Sequence, residues 1–238
     1  MAIIALLPDT LALHDDTLNA WVDGLGDEDR QRIGHLRAGN RRREFVVARA
    51  LLAALALEHL GAVAQVTSAT GEPPRLLTAA GDSMACSISH SGNAVLVGLT
   101  DQGSIGVDVE RHRPRTLDRL VDRYFWQEGR DFFHSQTSEA AQHWFYRVWC
   151  TREALLKYRS EGNLFQALGS PLALASPTEA RIGQSEQLTL AAVFDGPGEP
   201  DVVVAQAGRD GRLSFSPPEP SGPLPQLEGL VAAPPGPV

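Results

Sequence analysis

The sequence predicts an α+β fold of two similar α/β halves. Two observations predict it. Helix-period apolar stripes run over residues 41–60 and 143–159, and short strand-like runs accompany each. The order of helix and strands is given twice, with a break at Thr100-Asp101-Gln102-Gly103. The repeat is one of pattern, without residue identity between the halves.

The elements follow in chain order. Met-Ala-Ile-Ile-Ala-Leu-Leu-Pro opens the chain with no basic leader, and Pro8 ends its apolar stretch, so it reads as a first strand and not as a signal peptide. In residues 41–60, Phe45, Ala48, Leu51, Leu52, Leu55 and Leu60 form one helical stripe, and Gly61 stands where a C-terminal glycine would. Strand-like runs follow at 64–68, 84–89, 94–99 and 104–110. Residues 117–125 and 143–159 read as helices, and 188–193 and 201–207 as strands. Residues 216–238 hold eight of the 16 prolines, which prevents regular structure and predicts a flexible tail. The expected units are an N-terminal half at 1–103, a C-terminal half at 104–215 and the tail.

Composition narrows the class. Of 238 residues 43% are hydrophobic, too many for a disordered chain, and no apolar run reaches the ~18–20 residues of a membrane span. The net charge of −8 argues against a general nucleic-acid binder. Cys86 and Cys150 are too few for a disulfide framework or a zinc site, and the cytoplasm is the expected location. All but one of the 21 basic residues are arginine, a bias of the kind genome composition imposes; Lys157 is the lone lysine.

Two constellations carry chemistry. In Ile105-Gly106-Val107-Asp108-Val109-Glu110, strand alternation puts Gly106, Asp108 and Glu110 on one face. Two carboxylates at i and i+2 make either a solvated polar face or a site for a hard cation such as magnesium. In residues 145–157, Phe145, Val148, Trp149, Leu155 and Leu156 form a buried stripe, and Trp149, Glu153 and Lys157 follow at i, i+4, i+8 along its edge. Alone, Glu153 and Lys157 would make an ordinary exposed ion pair.

Together, Gly-Val-Asp-Val-Glu and the later Trp-Cys-Thr-Arg-Glu-Ala-Leu-Leu-Lys resemble the two signatures of the 4′-phosphopantetheinyl transferase superfamily. Ser87-Ile88-Ser89-His90-Ser91 is similar to the family's S-x-S-H-S element, and Gly71-Glu72-Pro73 to its turn. Arg41 and Arg49 fall at coenzyme-contact positions. The likeness covers residues 25–165, and its length and two-half layout resemble the monomeric Sfp type, which implies a pseudodimer of two similar α/β halves, each a small antiparallel sheet packed on a long helix. Arg152 replaces a lysine, Cys150 a serine or threonine, and Glu72 a lysine whose phosphate contact Arg75 could take over.

The resemblance implies transfer of the 4′-phosphopantetheine arm of coenzyme A to a serine of an apo carrier protein (peptidyl, acyl or aryl carrier domains of peptide or polyketide synthases), with release of 3′,5′-ADP. It implies Mg²⁺ held by Asp108, Glu110 and Glu153, with Glu153 and Lys157 catalytic. Arg41, Arg49, Gly71, Glu72, Pro73, Ser89, His90, Asp108 and Lys157 would contact the coenzyme. A magnesium-dependent phosphohydrolase and an inactive coenzyme A-binding module are the alternatives. Despite the net charge, residues 30–49 hold seven arginines against Glu44 alone, and Arg111, Arg113, Arg115, Arg119 and Arg123 follow the carboxylate motif, so an acidic carrier can be attracted locally.

Overall fold

Every residue of β1 (Ala2–Leu7) is buried, which a strand sustains only when both its faces are covered. In the computed structural model, Ile3, Ala5 and Leu7 face a core that includes Val47, Leu52 and Leu55, whereas Ala2, Ile4 and Leu6 face Val107, Leu190 and Phe194. The structure describes residues 2–36, 39–62, 64–67, 73–171, 178–184, 187–195, 201–204 and 228–229.

The first sheet is built from β2 (Ala64–Thr67), β3 (Arg75–Thr78), β4 (Ser83–Ser91), β5 (Ala94–Thr100), β1 and β9 (Asp201–Val204), in the order β2-β3-β4-β5-β1-β9. All its pairs are antiparallel except β1 with β9. The second sheet takes the order β10-β7-β8-β6, from β6 (Ile105–Arg111), β7 (Thr178–Gln184), β8 (Leu188–Asp195) and β10 (Glu228–Gly229). The two sheets meet through alternating residues of β1, β5, β6 and β8. Each fully buried Val, Leu or Ile there contributes about 1.5–3 kcal/mol.

A long helix covers the outer face of each sheet, giving layers of helix, sheet, sheet and helix. α3 (Asn40–Leu60) packs Val47, Leu52, Leu55 and Ala56 on the first sheet, and Gly61 ends it at φ 62°, in the left-handed region that glycine tolerates. α6 (Ser138–Arg159) presses Cys150, Ala154 and Leu155 onto Ala191 and Val193 of β8. Its other side packs Trp144, Phe145 and Val148 against α4 (Asp118–Tyr124), α5 (Gln127–Ser135) and α7 (Leu164–Leu168). Both flanks of α6 are therefore buried, which is why its apolar residues extend beyond one stripe.

The elements expected from periodicity appear within a few residues of their expected bounds; residue 68 and residues 205–207 lie outside the described ones. α6 begins five residues earlier than expected, where Thr137 caps it by accepting the Ala140 N–H. Sequence reasoning overlooked α1 (Asp15–Asp23), α2 (Asp27–His35), β3, α5, α7 and β7. α1 and α2 are short and charged: α1 packs Leu18, Trp21 and Val22 on the first core, a stripe of little more than one turn, and α2 buries only Ile33 among its apolar residues. β9 lies C-terminal to the boundary expected at residue 103 yet joins the first sheet. The proline-rich stretch lies outside the described residues except Glu228–Gly229, which pair in parallel with Arg181–Ile182. Cys86 and Cys150 are buried free thiols, and no helix among the described residues is long and apolar enough to cross a membrane.

Candidate active site

Gly106 determines how closely β6 and α6 approach. A Cβ there would lie 1.9 Å from the Ala154 carbonyl oxygen and 2.4 Å from the Tyr158 nitrogen, so only glycine fits beneath the helix. Alternation then puts Asp108 and Glu110 on this same helix-facing side of β6. The opposite side, with Ile105, Val107 and Val109, is in the core between the sheets.

Glu153 and Lys157, one turn apart on α6, meet that carboxylate face. Lys157 Nζ donates to Asp108 Oδ1 at 2.8 Å and to the Val107 carbonyl oxygen at 3.0 Å. Asp108 is 5% exposed, and its Oδ2 is buried with no hydrogen-bond partner among the described residues. Burial, and then the charge of Asp108, push the Glu153 carboxyl above the usual carboxylate range; Lys157 opposes this and Glu110 adds to it. Glu110 is likewise pushed up, first by burial, with a Ser91 hydrogen bond, Arg115 and Arg113 pulling it down and Asp108 raising it. Three carboxylates thus feel one another across the β6–α6 junction.

Hydroxyls of β4 reach the same strand. Ser89 Oγ donates to Asp108 Oδ1 and Ser91 Oγ to Glu110 Oε2, both at 2.7 Å. His90, between them, points to the other side. Its Nε2 is 3.0 Å from an Arg41 guanidinium nitrogen, and its Nδ1 is 3.4 Å from Oε2 of the buried Glu44. Guanidinium only donates, so His90 Nε2 accepts in this arrangement.

Beside the carboxylates opens a cleft of about 450 Å³, lined by Asn40, Arg41, Glu44, His90, Glu110, Arg111, Arg113, Arg115 and Tyr146. Its cationic wall is partly fixed. Arg111 donates to the Pro8 carbonyl oxygen at 2.7 Å, and Arg115 lies 5.1 Å over the Tyr146 ring. The Tyr146 hydroxyl in turn accepts the Arg113 N–H at 3.0 Å. Of these lining residues, Asn40, Glu44 and Tyr146 escaped sequence reasoning, and Glu44 had one visible signal: it is the only acid in an arginine-rich run.

The expected site residues do not all converge. Asp108, Glu110, Glu153 and Lys157 come together, and Arg41 and His90 join Glu110 along the cleft. Arg49 lies elsewhere: it is 6% exposed, pairs with Asp29 Oδ2 at 3.0 Å and lines a different crevice with Gln65 and Thr67. Pro73 is exposed ahead of β3, and Gly71 and Glu72 lie outside the described residues. Arg75 donates to Ser83 Oγ at 2.7 Å. The arginine-rich run is also less free than its composition suggests, since Arg30, Arg43 and Arg49 pair with Asp27, Asp15 and Asp29.

Asp108, Glu110 and Glu153 fit a hard divalent cation in donor chemistry, because oxygen ligands are what Mg²⁺ takes and Asp108 Oδ2 is a buried oxygen without a hydrogen-bond partner among the described residues. As the side chains stand, no group of three or more His, Cys, Asp or Glu among the described residues is gathered to hold a metal ion. Arg152, in the same helix motif, is buried and donates to the Ser170 carbonyl oxygen; burial, with Arg159 nearby, pushes its guanidinium down to about 10.

The family model of the 4′-phosphopantetheinyl transferase superfamily matches residues 104–195, the stretch that carries β6, α6 and β8. The chain is 29% identical over 122 residues to the 4′-phosphopantetheinyl transferase AcpT of Salmonella typhi, covering 51% of this chain and 63% of that one. It is 28% identical over 143 residues to the 4′-phosphopantetheinyl transferase HetI of Nostoc sp., covering 58% and 60%. To the 4′-phosphopantetheinyl transferase psf-1 of Bacillus pumilus it is 31% identical over 103 residues, covering 43% and 40%. Each match spans less than two-thirds of the relative's own length. Residues 104–195, which hold the carboxylates and Lys157, are thus the stretch in which the chain is similar to the 4′-phosphopantetheinyl transferase superfamily.

Proposed function

We propose that the chain transfers the 4′-phosphopantetheine moiety of coenzyme A to a serine hydroxyl of an apo carrier protein, releasing 3′,5′-ADP. The observation that carries this reading is the junction of two unlike surfaces: a cleft walled by Arg41, His90, Arg111, Arg113 and Arg115 opens onto Glu110, which is coupled to Asp108 and Glu153. A polyanionic nucleotide suits the first surface, and in-line attack on a diphosphate needs the second.

The residues divide the work. Arg41 and His90 bind phosphate oxygens of the nucleotide. Glu153, with its carboxyl held above the ordinary range, accepts the proton of the incoming serine. Lys157 places its ammonium where negative charge develops on the leaving oxygen. Asp108, Glu110 and Glu153 would hold Mg²⁺, which supplies charge neutralisation at the diphosphate. Exposed Arg113, Arg115, Arg119 and Arg123 draw in an acidic carrier domain. In this reading the enzyme acts as a monomeric, Sfp-type protein of the cytoplasm, with carriers of secondary-metabolite synthases as its acceptors.

The test is intact-mass analysis of several apo carrier domains after incubation with the protein, coenzyme A and MgCl₂. Gain of one phosphopantetheine arm is expected, and it should vanish in Asp108→Ala and Glu153→Gln. No gain on any carrier overturns the reading. Phosphate release without carrier would point to a hydrolase, and coenzyme binding without turnover to a binding module.

A further inference from the structure

Among the described residues β6 is the edge of its sheet, paired with β8 on one side only. Its outward N–H groups, at every second residue, need acceptors that no strand supplies. β4 supplies them from side chains: Ser87 Oγ accepts the Val107 N–H at 3.0 Å, Ser89 Oγ the Val109 N–H at 3.2 Å and Ser91 Oγ the Arg111 N–H at 3.1 Å. The period of two along both strands makes the three contacts repeat in register.

A serine hydroxyl has a single proton. The Ser89 proton goes to Asp108 Oδ1 and the Ser91 proton to Glu110 Oε2, both at 2.7 Å, the length of a charge-assisted bond. Ser87 stands at the same place in the ladder, but the residue on β6 that would complete the pattern is Gly106, which has no carboxylate. The molecule therefore contains two serines with a carboxylate to hold and one without.

We propose that Ser89 and Ser91 are positioning residues for the cation site: each hydroxyl, locked by a β6 amide, fixes one oxygen of Asp108 or Glu110 and leaves the other free to ligate. Asp108 fits this already, with Oδ1 engaged by Ser89 and Lys157 and Oδ2 without a hydrogen-bond partner among the described residues. The proposal rests on the transferase reading of these carboxylates and assigns Ser89 a role through Asp108, not through the coenzyme.

The experiment titrates MgCl₂ calorimetrically into the full-length protein with coenzyme A present and no carrier, comparing wild type with Ser87→Ala, Ser89→Ala, Ser91→Ala, Ser89→Thr and Ser91→Thr. Amide exchange of Val107, Val109 and Arg111 is followed in parallel. All three alanine variants should speed exchange at their own amide. Only Ser89→Ala and Ser91→Ala should weaken Mg²⁺ binding, by about 10–100-fold, and the threonine variants should recover it. Wild-type Mg²⁺ affinity in both alanine variants, or an equal loss in Ser87→Ala, overturns the positioning role while leaving the transferase reading intact if the wild type still modifies carriers. A wild type that takes up no Mg²⁺ overturns the role together with the cation site.

Discussion

Lys157 Nζ and Asp108 Oδ1, 2.8 Å apart, tie α6 to β6 through the only lysine of the chain. The same ammonium also donates to the Val107 carbonyl oxygen, so it closes the sheet edge as well as pairing a buried charge. Lys157→Met should cost about 1–3 kcal/mol of stability, the range for a hydrogen bond to a charged group, and lower transfer by about 10²–10³-fold. Lys157→Arg should keep more stability than activity, since a planar fork cannot reproduce the two ammonium contacts. Urea unfolding beside the carrier assay measures both, and an unchanged midpoint for Lys157→Met would refute the tie.

Gly106→Ala is a backbone collision and not a crowded side chain, because the added carbon meets the Ala154 carbonyl oxygen and the Tyr158 nitrogen. α6 must move outward, carrying Glu153 and Lys157 with it. Overpacking of this kind costs about 1–3 kcal/mol, and the expected variant folds with a lowered melting temperature and little transfer. Full activity in Gly106→Ala would mean that the helix position is not critical.

Arg49 and Asp29 form an ion pair in which both side chains are largely withdrawn from water, 3.0 Å apart. Breaking such a pair leaves an uncompensated charge and costs about 3–5 kcal/mol. Arg49→Ala is therefore expected to lower stability in chemical denaturation, and Asp29→Asn to do the same although Asp29 is an acid and would not bind a phosphate. If Asp29→Asn is neutral while Arg49→Ala weakens coenzyme binding alone, Arg49 is a coenzyme contact.

Glu110 and Glu153 bind their protons more tightly in the folded protein than in the unfolded chain, because burial raises both. Their contribution to stability is then full below the unfolded carboxylate range, about pH 4, and is lost as pH rises through their raised values. At neutral pH the ionised cluster costs stability. Glu153→Gln, a mimic of the protonated form, should melt above the wild type at pH 7.5, and the difference should close near pH 4. MgCl₂ should raise the wild-type melting temperature at pH 7.5 more than that of the variant. A gap that widens in acid contradicts the assignment.

Much of this architecture is legible in the chain. α3 and α6 announce themselves because a long helix on a sheet needs a continuous stripe, β6 because its residues alternate, and β5 because a strand buried on both faces reads as an unbroken apolar run. α1 and α2 do not, since the Leu18, Trp21 and Val22 stripe of α1 spans little more than one turn and α2 has Ile33 as its one buried apolar residue. Spacing of i, i+2 and i, i+4 put the carboxylates, and Glu153 with Lys157, on shared faces, but only the resemblance of the two motifs to the transferase signatures marked them as one site. The contacts of Ser89, Ser91 and Arg49 were not, because each partner lies 19 or 20 residues away on another element.

By itself, then, the sequence determined which side chains share a face: Gly106, Asp108 and Glu110 on one strand, Glu153 and Lys157 on one helix. Those relations follow from the 2.0 and 3.6 periods of the backbone and hold before any packing occurs. Only the tertiary structure decided which faces meet. It set the unpaired edge of β6 against the serines of β4 and buried Arg49 on Asp29 instead of opening it to the cleft. The physical reason is that edge amides and buried charges must find partners when water is withdrawn, and the partners available depend on how the layers stack, which no local period encodes.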